Sequence, residues 1–322
     1  MHKIFDDKLV DANLNNWVDK YAHWRVRPYL KLSRFDRPIG AWLLIIPCWW
    51  GLLLSTNSHF VSFDQRTIYI ATACYLGGIL MRGAGCTWND ITDSELDAKV
   101  TRTKNRPIAS GQLSKKQAFA WLMIQCLLAL GILITFNKLA ILLGFLSILT
   151  VLAYPFAKRF TYWPQFFLGI SFNWGVLLAF AASSNSLTIH AFALYISGIF
   201  WTIFYDTIYS LQDIEDDKKV GIKSTGILFG SKTKLILISF LLLISGVMSL
   251  VFFSVAGQDT VHLIILECGV LAFSICLLIQ LITFNENDPE SCLRAFKANK
   301  QAGLILASFL AIGTIYIKFY VQ

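Results

Sequence analysis

Long, nearly uncharged apolar runs decide what this chain can fold into. Residues 233–255 and 260–283 are two of them, a few residues apart, each with one formally charged side chain, Lys234 and Glu267. About 20 apolar residues in a helix match the thickness of a bilayer's hydrocarbon core. In lipid every backbone polar group must be satisfied internally, which leaves helices or closed barrels, and these runs are too long for barrel strands. Further runs lie near 38–56, 67–87, 117–136, 138–156, 163–182, 189–209 and 301–320. The expectation is an all-α, multi-span integral membrane bundle of about nine transmembrane helices. Composition agrees: 56% of residues are hydrophobic and 15% charged, against roughly half and a quarter in soluble domains.

The net charge of +8 reads, in a membrane chain, as loop bias and contact with anionic headgroups. The expected environment is a lipid bilayer, with no nucleic acid as partner. The seven cysteines form no C-x-x-C and sit mostly inside apolar runs, so they read as small buried hydrophobes. The five histidines are scattered, which excludes a zinc or haem pattern and leaves carboxylates as the metal ligands. Residues 1–37 form a polar lead-in in which Trp17, Tyr21 and Trp24 recur at helical spacing, predicting an interfacial helix. Its acids, Asp6, Asp7, Asp11 and Asp19, fit neither a secretory signal nor a transit peptide. The expected location is therefore a bacterial inner membrane. Lys and Arg crowd into the lead-in and alternate loops (88–116, 157–162, 210–232 and 284–300), which places those loops and the N-terminus on the cytoplasmic side.

Two of these loops share one design. In N-D-I-T-D-S-E-L-D, residues 89–97, Asp90, Asp93 and Asp97 are spaced i, i+3, i+7 and predict one helical face. Lys99, Arg102, Lys104 and Arg106 follow. In the second, residues 205–226, Asp206, Asp213 and Asp217 fall on one helical face, and Lys218, Lys219 and Lys223 follow. Like charges on one face repel unless a cation sits between them. A hard divalent ion such as Mg²⁺ takes oxygen ligands together with substrate phosphates, and the basic residues read as contacts to the same phosphates. Asn89 reads as a further ligand oxygen in preference to a helix cap, because the residues before it look helical. Asp206 lies at the end of an apolar span, where an ionisable group is a functional candidate, and Tyr209 is one turn before Asp213. Lys158 and Arg159, and likewise Arg34 and Arg37, read equally as membrane-side anchors or as contacts to an anionic substrate group.

A carboxylate-bound Mg²⁺ beside basic residues suits a diphosphate, and in a membrane the natural diphosphate carries an apolar tail. Charge developing on the leaving group would be neutralised there, and a dry pocket would protect the allylic cation from water.

These motifs resemble those of the UbiA superfamily of intramembrane prenyltransferases, whose signatures are N-D-x-x-D-x-x-x-D and D-x-x-x-D. L-S-R-F-D-R-P-I-G (32–40), M-R-G-A-G-C-T-W-N-D (81–90), V-T-R-T-K-N-R-P-I-A-S-G (100–111), Y-P-F-A-K-R-F-T-Y-W-P-Q (154–165) and G-I-K-S-T (221–225) are similar to the branch that prenylates 4-hydroxybenzoate. The resemblance implies a helical bundle around a central cavity open to lipid. It implies Mg²⁺-dependent transfer of a polyprenyl group from polyprenyl diphosphate to the ring carbon ortho to the hydroxyl of 4-hydroxybenzoate, in ubiquinone biosynthesis. Carried over by position, Asp90, Asp93, Asp97, Asp213 and Asp217, with Asn89, would hold metal and diphosphate. Arg102, Arg106 and Lys223 would contact the diphosphate, and Arg159, or else Arg34, the benzoate carboxylate. Gly226 and Lys104 stand where the family pattern has alanine.

The expected organisation is one transmembrane prenyltransferase domain over 38–322, built of two related halves, about 38–156 and 163–322. Two alternatives compete: a prenyltransferase of the same kind with another aromatic acceptor, and a cation-coupled membrane transporter. The second would place its acids within spans, next to broken helices.

Overall fold

The structure, a computed structural model, describes residues 16–58, 62–100 and 103–320, without the side chains of Asp216 and Val220. It is all helical, with no strand among the described residues. The helices are α1 (Trp17–Tyr21), α2 (Arg27–Leu32), α3 (Ile39–Asn57), α4 (Gln65–Thr92), α5 (Ser94–Asp97), α6 (Lys115–Leu133), α7 (Lys138–Phe160), α8 (Pro164–Ser184), α9 (Ile189–Ser210), α10 (Ile214–Val220), α11 (Thr225–Phe229), α12 (Thr233–Ala256), α13 (Thr260–Thr283) and α14 (Pro289–Tyr320).

Eight stretches among the described residues are long and apolar enough to cross a membrane. Residues 67–87, expected as a further span, lie on a helix, α4, of 28 residues, but its glycines, threonines and Arg82 leave it outside the eight, so eight spans rather than nine meet that measure among the described residues. The polar caps set the boundaries. Ser114 and Gln117 form a capping box at the start of α6, and Asn137 and Asp259 cap α7 and α13 through their side chains. Helix α14 begins at Pro289, well before the expected 301, so its first turns carry Glu290, Arg294, Lys297 and Lys300.

Helix α3 is the centre of the packing, with α4, α8 and α14 around it. From α8 the chain of contacts passes through α9, α12 and α13 to α14 and back to α3. Gly51 of α3 lies against the backbone of Val176 on α8, an approach that admits no Cβ. Trp50 and Trp201 are fully buried with rings 4.8 Å apart, so these tryptophans belong to the core. Between α3, α4, α6, α7 and α8 lies an apolar cavity of about 540 Å³. Six of its lining residues, Phe119, Met123 and Leu127 on α6 and Phe145, Ile148 and Leu152 on α7, are exposed, so it opens at the side of the bundle between these helices.

The lead-in differs from the expected single helix. Trp17 and Tyr21 lie on α1, but Trp24 falls in the turn before α2. The Lys31 ammonium is buried against Asp19 at 2.7 Å, which docks α1 onto α2. Trp121 donates to Ser33 Oγ at 2.7 Å, and that hydroxyl donates to Gln125 at 3.1 Å. These bonds fix the turn that carries Arg34 into the site.

Candidate functional site

Helix α4 runs along the cavity wall through Met81, Arg82, Gly85 and Trp88, then delivers Asn89 and Asp90 to its end. The three aspartates do not continue one helix. Helix α4 stops at Thr92, Asp93 takes the cap with φ −100° and ψ 5°, and Asp97 closes the one-turn helix α5. Asp90 and Asp93 are fully buried and Asp97 nearly so.

The protein's own cations sit between the carboxylates. Arg34 donates to Asp90 Oδ1 at 2.6 Å, and Arg106 reaches the same oxygen at 3.2 Å. Arg106 also donates to both oxygens of Asp97, at 3.0 and 2.9 Å. Lys158 Nζ lies 2.5 Å from Asp93 Oδ2, and Arg159 donates to Asp93 Oδ1 at 3.3 Å and to the Thr92 carbonyl at 3.0 Å. The repulsion expected along the acidic face is thus relieved by arginine and lysine side chains. Among the described residues no three carboxylate, histidine or cysteine groups lie close enough together to hold a metal ion. Asp90 Oδ2, however, is buried with no hydrogen-bond partner.

Burial shapes the protonation of these groups. It works against the Arg34 charge, but the Asp90 carboxylate outweighs it and holds the guanidinium well above its ordinary pKa. Burial pushes the Asp97 carboxyl upward despite the opposing charge of Arg106. Burial likewise raises Asp36, whose oxygens have no hydrogen-bond partner and whose nearest ion-pair contact is Arg37 Nε at 3.8 Å.

The second motif is also interrupted. Helix α9 ends at Ser210, a tight turn spans Leu211–Asp213, and Asp217 lies on the short helix α10, so Asp206 and Asp213 do not share one continuous helix. Asp206, Asp213 and Asp217 are half-buried. Tyr209 packs on Phe296 at 4.5 Å, and Phe296 meets Tyr205, so Tyr209 caps an aromatic column reaching down to Trp201. The loop after α10 joins this motif to the first: the Lys223 backbone N–H donates to the Lys158 carbonyl at 3.0 Å, and Lys223 Nζ donates to the Phe160 carbonyl. Thr225 bonds Thr207 of α9 at 2.6 Å. Gly226 is accounted for, because a Cβ there would come within 2.6 Å of Ser210 Oγ. Arg102 lies outside the described residues. Asn89 is half-buried beside Asp90, and Lys104 is exposed.

One residue escaped the reading of the sequence. Arg82 lines the cavity two turns before Asp90, with its guanidinium 5.0 Å above the Phe172 ring and its Nε without a hydrogen-bond partner. Gly40 makes room for it, since a Cβ there would lie 2.5 Å from Nη2. Tyr154 is within electrostatic reach of Arg82, Asp90 and Asp93, and Tyr205 of Arg82 and Asp206. An ionisable residue within a span was the signal that would have found Arg82.

Residues 44–312 match the UbiA prenyltransferase family. The chain belongs to that family. Over 300 residues it is 43% identical to the mitochondrial 4-hydroxybenzoate polyprenyltransferase of Arabidopsis thaliana, covering 92% of this chain and 71% of the relative. Over 292 residues it is 42% identical to the human mitochondrial enzyme of the same name, covering 90% and 76%. A solved UbiA homolog from Archaeoglobus fulgidus bound to GPP and Mg²⁺ aligns with a TM-score of 0.67 at 18% identity, over 90% of this chain and 99% of that one. The apo UbiA homolog from Aeropyrum pernix K1 gives 0.64 at 21% identity, over 84% and 97%. These two likenesses establish the UbiA fold.

The relatives also correct the expected location. They are mitochondrial enzymes, so the inference from an acid-rich lead-in to a bacterial inner membrane does not hold, and the cytoplasmic side assigned with it falls as well. The rule used there concerns the start of the chain, and residues 1–15 lie outside the described part. The grouping of the basic loops at one end of the bundle stands on the ion pairs themselves.

Proposed function

We propose that this chain transfers a polyprenyl group from polyprenyl diphosphate to the ring carbon ortho to the hydroxyl of 4-hydroxybenzoate, releasing diphosphate in ubiquinone biosynthesis. The observation that carries the reading is α4, which lines an apolar, laterally open cavity and ends in buried, ion-paired aspartates. The cavity takes the prenyl tail and the aspartate end takes the diphosphate.

The donor chemistry fits Mg²⁺: the groups offered are hard carboxylate oxygens, and the buried Asp90 Oδ2 lacks a partner. Asp90, Asp93 and Asp97 from one motif and Asp213 and Asp217 from the other would hold it, with Asn89 beside them. Bound there, the ion would neutralise charge on the departing diphosphate. Arg34, Arg106, Lys158 and Lys223 bind and orient the phosphate oxygens. The apolar cavity walls exclude water from the allylic cation while the electron-rich ring attacks.

For the benzoate carboxylate the geometry favours Arg82 over Arg159 or Arg34. Arg159 is 44% exposed and Arg34 is engaged with Asp90, whereas Arg82 faces the cavity with Nε unpartnered. A planar fork suits a carboxylate. The transporter alternative is not favoured, because the aspartates of the first motif sit at the end of α4 paired with arginine and lysine side chains that suit an anionic substrate.

The test is acceptor identity. Membranes containing the protein and polyprenyl diphosphate receive labelled 4-hydroxybenzoate, homogentisate or dihydroxynaphthoate. Label should enter the lipid phase from 4-hydroxybenzoate. Label from another acid alone would move the acceptor, and label from none would remove the reading.

A further inference from the structure

We infer that the aromatic and cationic face of the lead-in, formed by Trp17, Tyr21, Trp24, Lys20 and Arg25, docks on the anionic phospholipid surface of the bilayer and thereby steadies the turn that carries Arg34.

The chain enters its first span at Ile39, so residues 16–37 lie at the edge of the membrane. Trp17, Tyr21 and Trp24 are 49%, 72% and 56% exposed, although Val18 on the same helix as the first two is fully buried. Tryptophan and tyrosine rings are amphipathic and settle at the headgroup level of a bilayer. Two of these rings carry a cation: Lys20 Nζ lies 5.2 Å from the Tyr21 centroid, and the Arg25 guanidinium 4.9 Å from that of Trp24. Lys20 and Arg25 are both exposed. Residues 16–37 hold six lysines and arginines against two acids, and one of those acids, Asp19, is paired with Lys31. Helix α2 packs through Leu32 against Ala118 of α6, whose first turn adds exposed Lys115 and Lys116. Exposed aromatic rings among charges of this sign complement phosphate headgroups, and each lysine or arginine near an anionic surface favours binding by about 5-fold.

The same segment grips the turn next to the site. Trp17 Nε1 donates to the Phe35 carbonyl at 3.0 Å, and the two rings meet edge to face at 6.3 Å. Arg34 therefore sits between Ser33, held by Trp121 and Gln125, and Phe35, held by Trp17. Its backbone, at φ +63°, keeps that conformation only when the surrounding structure imposes it. Ordering α1 on the bilayer keeps the Trp17 bond in place, and with it the aim of Arg34 at Asp90.

The test compares the full-length protein in nanodiscs of phosphatidylcholine with and without phosphatidylglycerol, read by hydrogen exchange of the amides of residues 19–22 and 33–35. Phosphatidylglycerol should slow both groups by about 10-fold or more, and high salt should cancel the effect. The double variant Lys20→Gln, Arg25→Gln should lose the response. Lys138→Gln, which removes an exposed lysine at the start of α7, should keep it. Trp17→Phe retains a ring but not the indole N–H, so residues 19–22 should still respond in it while residues 33–35 should not. A second arm rests on the prenyl-transfer reading: phosphatidylglycerol should raise wild-type kcat/KM for prenyl diphosphate by about 3-fold or more and leave Trp17→Phe unchanged. The inference is overturned if wild-type exchange is the same in both lipids, if the double variant responds as Lys138→Gln does, or if residues 33–35 of Trp17→Phe respond as in wild type. Protection of residues 19–22 that needs other membrane proteins would give this face to a protein and overturn it as well. Absence of transfer in every lipid would remove the proposed reaction, and the exchange arm would still decide the docking surface.

Discussion

Arg34 Nη2 lies 2.6 Å from Asp90 Oδ1, although 56 residues separate them in sequence. The arginine adopts φ +63°, a left-handed conformation uncommon for any residue with a Cβ. It is kept there by the hydrogen bonds of Ser33 to Trp121 and Gln125. Backbone strain is thus retained beside the one buried Asp90 oxygen that lacks a partner.

Arg34→Lys keeps the charge but loses the fork that reaches both Asp90 and the Lys31 carbonyl. One charge-assisted hydrogen bond is worth about 1.5–3 kcal/mol. The expected result is a fall of about 10-fold or more in kcat/KM for prenyl diphosphate. A lysine variant with wild-type kcat/KM would mean that only the charge at this position matters.

Asp93→Asn removes the counter-charge of Lys158 and Arg159 in a fully buried position. Transfer should fall by about 100-fold or more, since both the diphosphate cradle and a metal ligand are lost. The apolar helices do not depend on this residue, so the variant should still insert and elute as wild type. Full activity would remove Asp93 from the site.

Arg82→Gln should raise KM for the aromatic acid by about 10-fold or more and leave KM for prenyl diphosphate nearly unchanged. Arg159→Ala should instead affect the prenyl diphosphate at least as much as the acid, because its partner is Asp93. Steady-state kinetics with each substrate varied in turn separates the two, and the opposite pattern would restore Arg159 as the carboxylate contact.

The lead-in offers a pH test away from the site. Burial alone would raise the Asp19 carboxyl, but hydrogen bonds from Lys31 and Asn16 and the Lys31 charge win, and its pKa lies below the ordinary value of 3.8. A depressed carboxylate contributes stability above the ordinary pKa and loses it as pH falls through the folded value. Docking of α1 should therefore be indifferent to pH above about 4 and loosen below it. Hydrogen exchange of the α1 amides, corrected for the intrinsic pH dependence of exchange, should quicken only in that acid range for wild type. In Asp19→Asn exchange should be fast at every pH, because the ion pair with Lys31 is gone. Exchange that ignores both pH and the substitution would refute this anchor.

The spans were legible because uncharged runs and their caps, such as Ser114, Asn137 and Asp259, are local features. The start of α14 was not, since Glu290, Arg294, Lys297 and Lys300 make a helix read as a polar loop. The breaks at Asp93 and at Leu211–Asp213 were hidden for a different reason: helical spacing continues across them, and only the backbone shows the interruption. Pairing of Arg34, Lys158 and Arg159 with Asp90 and Asp93 is long-range, so local spacing left those cations equally readable as membrane anchors. Arg82 stands within M-R-G-A-G-C-T-W-N-D, but local spacing does not distinguish an arginine that lines a cavity from one that reaches along the helix to the membrane edge. The location failed because charge in a lead-in is a weak guide to the membrane that receives the chain.

The most direct measurement is the initial rate of prenyl transfer by the purified protein in nanodiscs, with polyprenyl diphosphate and labelled 4-hydroxybenzoate. The rate is followed before EDTA treatment, after it, and after Mg²⁺ is restored. A metal shared by carboxylates and diphosphate predicts label in the lipid phase that disappears with EDTA and returns with Mg²⁺. Transfer that continues undiminished in EDTA would contradict the shared metal site, and no transfer under any of the three conditions would contradict the reaction itself.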